Sequence, residues 1–275
     1  MTEPTEKEVS IPWSGKTAIT VTLTSPPKGT EHSGFGLVLG PGAGFRVSVC
    51  TRVIEYLFHP TSGVHPLKGC FLGGHSMGTR VAGTVAAQLA SGDSVTSSEL
   101  APAKKTSAKG KKSTKTTAAI STTTTDGSAG SSDFPTHYIP GLLLLSYPLH
   151  TAEKTKDLRD QILYDIPSSM STLFISGLKD TMCQPALFVK VFKEMKASPR
   201  EVVQVMDADH SLGFGSTKPA QAKKEALYTA ITEWTTAFMD EVISALSEQG
   251  KKGGSGLATK KKAEMEKTAD EWTVT

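Results

Sequence analysis

The sequence has little cysteine. Among 275 residues only Cys50, Cys70 and Cys183 carry thiols. An odd, sparse set builds no disulfide framework and suits a reducing compartment. Long apolar runs are also missing. The longest, Gly141-Leu142-Leu143-Leu144-Leu145, falls far short of the ~20 residues that cross a bilayer. Met1 to Ser10 is acidic and polar, without the apolar centre of a signal peptide. The net charge of +3 is too small to argue for a nucleic-acid partner. No Cys/His cluster has zinc spacing, no Gly-x-Gly-x-x-Gly opens a helix, and no P-loop lysine pattern occurs. These absences lead us to expect a soluble intracellular protein, cytoplasmic or nuclear, with no membrane span, no metal and no cofactor.

What remains is an alternation of strands and helices. Glu8 to Thr24 reads as a β-hairpin, with Val9, Ile11 and Trp13 alternating and Ser14-Gly15 turning. Gly36-Leu37-Val38-Leu39 is a short buried-type strand that runs into Gly40-Pro41-Gly42-Ala43-Gly44, a loop with almost no side chains. Val47, Cys50, Val53, Ile54 and Leu57 repeat at helical spacing over 47–58. Gly69 to Gly73 reads as a buried strand, and Ser76 to Leu89 as a helix with Val81, Val85, Ala86 and Leu89 on one face. Strands follow at Tyr138 to Tyr147, Ser171 to Ser176 and Val202 to Met206. Helices follow at Pro185 to Met195 and Lys223 to Leu246. Such alternation implies an α/β fold with a mostly parallel sheet, helices on both faces, and a site at the carboxyl ends of the strands.

Two segments stand outside the pattern. Residues 101–133 and 248–275 are nearly devoid of apolar side chains and cannot bury enough area to offset ordering entropy. We read one domain over 8–247, interrupted by a disordered insertion at 101–133 and followed by a disordered basic tail. Lys104, Lys105, Lys109, Lys111 and Lys112 cluster in the insertion, and Lys260, Lys261 and Lys262 in the tail. No aromatics are interleaved for base stacking, so we read solvated linkers rather than a nucleic-acid patch.

The chemistry centres on Gly74-His75-Ser76-Met77-Gly78. A Gly-x-Ser-x-Gly turn between a buried strand and a helix exposes its serine on a tight, strained corner, and small flanking residues let strand and helix approach. A serine hydroxyl needs a base to take its proton and a carboxylate to orient that base. Asp180 follows the strand ending at Ser176, and His210 follows the strand ending at Met206. The order Ser, Asp, His on three post-strand loops is the order used by α/β-hydrolases. Asp207 and Asp209 compete with Asp180 for the acid's role, since both also lie near His210. The N–H of Met77 at the helix start would meet a developing oxyanion, with Gly42, Ala43 and Gly44 supplying a second donor. His75, Tyr147 and His150 are expected to line the pocket.

Several runs carry a resemblance. They are Phe71 to Gly78, Leu145-Ser146-Tyr147-Pro148-Leu149-His150, Leu158-Arg159-Asp160, Leu173 to Gly177, Asp180-Thr181-Met182-Cys183 and Asp209-His210-Ser211. Together, over about Glu8 to Leu246 without 101–133, they resemble the testis-expressed protein 30-like branch of α/β-hydrolases. That branch is similar to dienelactone hydrolases. It includes the hydrolase-like domain of the third regulatory subunit of the nonspecific-lethal histone acetyltransferase complex. The resemblance implies an α/β-hydrolase fold and a triad at Ser76, Asp180 and His210, with no defined substrate. The chain departs from the family twice. Pro41 stands where the family's oxyanion loop usually begins with histidine. Between Gly44 and Gly69 the family has a helix, a strand and a loop, whereas this length holds one helix. One helix–strand unit is therefore expected to be missing after the oxyanion loop.

Two functions follow as expectations. One is a serine hydrolase acting on a small ester, thioester or similar acyl compound. The other is a weak or inactive subunit that keeps the fold as a protein-interaction module, in a chromatin-associated complex for instance.

Overall fold

The structure is a computed structural model that describes residues 3–14, 17–26, 31–42, 45–59, 62, 67–91, 139–198 and 200–252. The insertion at 101–133 lies outside the described residues, as do 253–275 of the expected tail.

Two strands open the chain, β1 (Thr5–Ser14) and β2 (Thr17–Ser25), and pair antiparallel as a separate hairpin. Five more form one parallel sheet in the spatial order β3 (Phe35–Gly40), β4 (Gly69–His75), β5 (Gly141–Leu145), β6 (Ser171–Gly177) and β7 (Arg200–Val205). Between them run α1 (Val47–Phe58), α2 (Met77–Ser91), α3 (Gln161–Asp165) and α4 (Pro185–Glu194), with α5 (Lys218–Lys252) last. Helix α5 begins before the expected Lys223 and continues past 247 into the segment read as tail.

The period-two alternation of the strands sorts their side chains onto two faces. Cys70, Leu72, Leu142, Leu144 and Phe174 meet Val53 and Ile54 of α1, Val81 and Val85 of α2, Leu163 of α3, and Phe188 and Val191 of α4. Phe71, Leu143, Leu173 and Ile175 point the other way, onto Leu227, Phe238 and Val242 of α5. A sheet covered on both faces buries its strands almost continuously, which is why β4 and β6 read as apolar runs rather than as alternating ones.

Strand β3 is the edge of the sheet among the described residues. Its following helix, α1, packs on the α2 side, and among the described residues the opposite face at β3 packs toward α5. Leu39 on β3 is 58% exposed. The expected shortfall between Gly44 and Gly69 matches this arrangement: one helix and no strand among the described residues there. The hairpin touches the core chiefly through Ile11, which is fully buried, and Arg52 Nε on α1 donates to the Pro12 carbonyl at 3.1 Å.

Parallel strands that all run one way bring the ends of β4, β6 and β7 to one edge. Ser76, Asp180 and His210 each lie just beyond one of those ends.

Candidate active site

Ser76 occupies the turn between β4 and α2 with φ of 53°. A non-glycine residue in that left-handed region carries strain. The backbone N–H of Ser76 donates to the Leu145 carbonyl at 2.9 Å, tying the turn to the end of β5. The flanking glycines are steric requirements. A Cβ on Gly74 would sit 2.8 Å from the Gly40 carbonyl oxygen, and one on Gly78 would collide with the carbonyls of Gly40 and Pro41. The β3 loop and the serine turn therefore touch backbone to backbone.

His210 Nε2 lies 2.8 Å from Ser76 Oγ. On the other side of the ring, His210 Nδ1 lies 2.8 Å from Asp180 Oδ2. Asp180 is buried, and its second oxygen accepts the Met182 N–H at 2.7 Å. One carboxylate thus orients the imidazole and is itself fixed by its own loop. The acid and base loops are pressed together at Gly177, where a Cβ would run into the backbone of Ala208 and Asp209.

The two competing acids are committed elsewhere. Asp209 Oδ1 accepts from the Ser211 hydroxyl, the Ser211 N–H and the Gly213 N–H, at 2.7, 2.8 and 3.0 Å. These bonds, the Ser211 hydroxyl's first, hold its carboxyl below the usual range. Asp207 pairs with Lys179 at 2.7 Å, and that hydrogen bond lowers its carboxyl likewise.

The expected oxyanion donors are placed in part. Met77 is the first residue of α2, so its N–H has no carbonyl within the helix to meet. Gly42 lies against the serine turn; a Cβ there would be 3.7 Å from Ser76 Cβ. Ala43 and Gly44 lie outside the described residues.

Of the three residues expected to line the pocket, His75 sits beside the base. Its Nε2 donates to the His210 carbonyl at 3.0 Å, with the two rings 5.7 Å apart. Tyr147 and His150 are buried instead, and they brace loops. Tyr147 donates its hydroxyl to the Arg159 carbonyl at 2.6 Å. His150 Nε2 accepts the Gln184 N–H at 3.1 Å, which fixes the proton on Nδ1, donated to the Thr151 carbonyl at 2.9 Å. The backbone N–H of His150 also holds the Met182 carbonyl at 3.0 Å. His150 therefore clamps both ends of the short segment that follows Asp180.

The cysteines offer no rival nucleophile. Burial pushes the Cys183 and Cys70 thiols up to about 12, and Cys50 higher still. A thiol held protonated is inert. No cluster of His, Cys, Asp and Glu suited to a metal ion occurs among the described residues, and none of their helices is long and apolar enough to cross a membrane.

Two features escaped the sequence reading. Ser146 takes a positive φ of 51° at the end of β5, with a buried hydroxyl that has no hydrogen-bond partner among the described residues. Arg80 keeps its Nε buried without a hydrogen-bond partner among the described residues, while its guanidinium bonds the Tyr147 hydroxyl.

A family model described as an alpha/beta hydrolase domain matches residues 127–240, a stretch that includes Asp180 and His210. Among solved structures, the chain is similar to dienelactone hydrolase from Anabaena variabilis ATCC 29413. The identity is 14%, covering 86% of this chain and 99% of that one, with a TM-score of 0.50. It is also similar to a fungal esterase from Rhizomucor miehei at 10% identity, covering 86% of this chain and 85% of that one, with a TM-score of 0.50. At such identities the likeness is one of fold, and the fold is that of the α/β-hydrolases.

Proposed function

We propose that the protein is a serine hydrolase acting on esters, thioesters or similar acyl compounds. The observation that carries this reading is the unbroken hydrogen-bond series Asp180–His210–Ser76, each link at 2.8 Å. His210 Nε2 takes the Ser76 hydroxyl proton as Oγ attacks the acyl carbon. The carbonyl π-bond electrons move onto oxygen, where the Met77 N–H and the loop at Gly42 meet the charge. The tetrahedral adduct collapses, the bond to the leaving group breaks, and His210 returns the proton to that group. Water then repeats the sequence on the acyl-serine, releasing the acid and restoring Ser76. Asp180 holds the ring in place and favours the imidazolium that forms twice per cycle.

The esterase and dienelactone hydrolase named among similar folds fit this reading. The Ser146-Tyr147-Pro148-Leu149-His150 run and the Asp180-x-Met182-Cys183 run support the narrower assignment to the testis-expressed protein 30-like branch. A second reading, a non-catalytic interaction subunit, is favoured by the uncovered sheet edge at Leu39.

A fluorophosphonate probe decides between them. The purified protein is expected to be labelled, and Ser76→Ala to abolish labelling. No labelling, or labelling unchanged in Ser76→Ala, overturns the hydrolase reading and leaves the second.

A further inference from the structure

The stretch that follows β5 is a connection, yet every residue from Ser146 to His150 is buried. Connections normally run over the surface, because a buried one must find partners for its backbone groups. The end of this connection finds them on the acid's loop. The His150 N–H donates to the Met182 carbonyl at 3.0 Å, and His150 Nε2 accepts the Gln184 N–H at 3.1 Å. Between those two contacts, the Cys183 thiol is hydrogen-bonded to the Leu149 backbone. Met182, Cys183 and Gln184 are thus stitched to Leu149 and His150.

The stitching reaches the carboxylate in one step. Met182 is held from both sides, its carbonyl by His150 and its N–H by Asp180 Oδ1 at 2.7 Å. The other oxygen, Asp180 Oδ2, is the one that lies 2.8 Å from His210 Nδ1. With Oδ1 and the backbone both fixed, Oδ2 has one place to stand. His150 itself is fully buried, and its Nδ1 donates to the Thr151 carbonyl at 2.9 Å. An imidazole bonded at both nitrogens in this way keeps one tautomer and one orientation.

We propose that His150 is a positioning residue for the hydrolase reaction: through Met182 and Gln184 it fixes the Asp180 carboxylate where that group orients His210. This rests on the serine-hydrolase reading above. His150 lies outside the triad and acts through Asp180.

The test follows the rate at which a fluorophosphonate labels Ser76 in the full-length protein. A glutamine amide oxygen reaches the place of Nε2 and can accept the Gln184 N–H, whereas an asparagine amide reaches only as far as Nδ1. His150→Asn is expected to slow the first-order labelling step by about tenfold to a hundredfold, because a misplacement of about 1 Å can cost that much. The half-saturating probe concentration is expected to stay the same, and His150→Gln to keep most of the rate. In an Asp180→Asn background, His150→Asn is expected to cost nothing further, since residues that act as a unit are not additive. An equal loss in both backgrounds, or a His150→Gln rate as low as that of His150→Asn, overturns the proposal.

A second readout needs no labelling. Amide exchange at Met182 and Gln184 is expected to quicken in His150→Asn and to stay slow in His150→Gln. If exchange behaves so while fluorophosphonate fails to label the unmodified protein, the brace stands and the hydrolase reading falls. If labelling requires Ser76 but His150→Asn leaves its rate unchanged, the positioning role falls alone. Should His150→Asn not fold, the ¹⁵N resonances of the histidines in the unmodified protein decide: the Nδ1–H tautomer at His150 supports the proposal, and the Nε2–H tautomer overturns it.

Discussion

The loop that carries His210 is organised by its neighbour. Asp209 holds Ser211 and Gly213 with one carboxylate oxygen and so sets the angle at which the imidazole leaves the backbone. Hydrogen bonds to the ionised form lower its carboxyl, so its contribution has a sign. A carboxylate with a depressed folded-state pKa adds stability that is fully present above the unfolded value, about 4, and is lost as pH falls through the folded one. Asp209→Ala is therefore expected to lower both the melting temperature and the rate of fluorophosphonate labelling at neutral pH. The gap in melting temperature should close on acidification below about pH 4. A gap that stays constant across that range would show that the loop does not depend on this charge. His150 works on the acid's loop in the same spirit, by supplying one acceptor and one donor in a fixed tautomer.

At the scale of elements, the hairpin β1–β2 is tied to the rest by little. Ile11 is its buried side chain among the described residues of the two strands. Ile11→Ala is expected to cost about 2–5 kcal/mol locally. Amide exchange should rise across β1 and β2 while Ser76 labelling persists. Loss of labelling together with the hairpin would show instead that the two fold as one unit. The main elements were legible because burial writes a period into the sequence. Helix α1 was read over its full length from Val47, Cys50, Val53 and Ile54, all of which the structure buries. Strand β5 was read too long. Pro140 has no N–H for a ladder, and Ser146 turns left-handed, so only Gly141–Leu145 pairs. Helix α5 was read too short. Its start is set by a cap rather than by periodicity: Thr217 Oγ1 accepts the Ala220 N–H at 3.3 Å, and Pro219 suits the first turn. The series of Ser76, Asp180 and His210 was legible as an order of loops. The braces were not, because Tyr147 and His150 bond to backbone groups far along the chain, and such partners leave no local pattern.

For the whole molecule, the five-stranded sheet ends on β3 among the described residues. Strand β3 pairs only with β4, and Leu39 faces outward beside an unpaired row of backbone groups among the described residues. Proteins commonly blunt such an edge with a charge. Leu39→Lys is expected to reduce concentration-dependent association, read by light scattering, with little change in melting temperature. Unchanged scattering would place any self-association elsewhere. The site also has a long reach along the chain. Ser76 and His210 meet across 134 residues, and every strand from β4 to β7 must be in register before they do. Contacts so distant in sequence close late, since the loop entropy is lost before the contact rewards it. Covalent labelling of Ser76 thus doubles as a folding clock. It marks the moment at which a newly made chain has its last strand in place, and a ribosome-bound chain that stops short of His210 should remain silent to the probe.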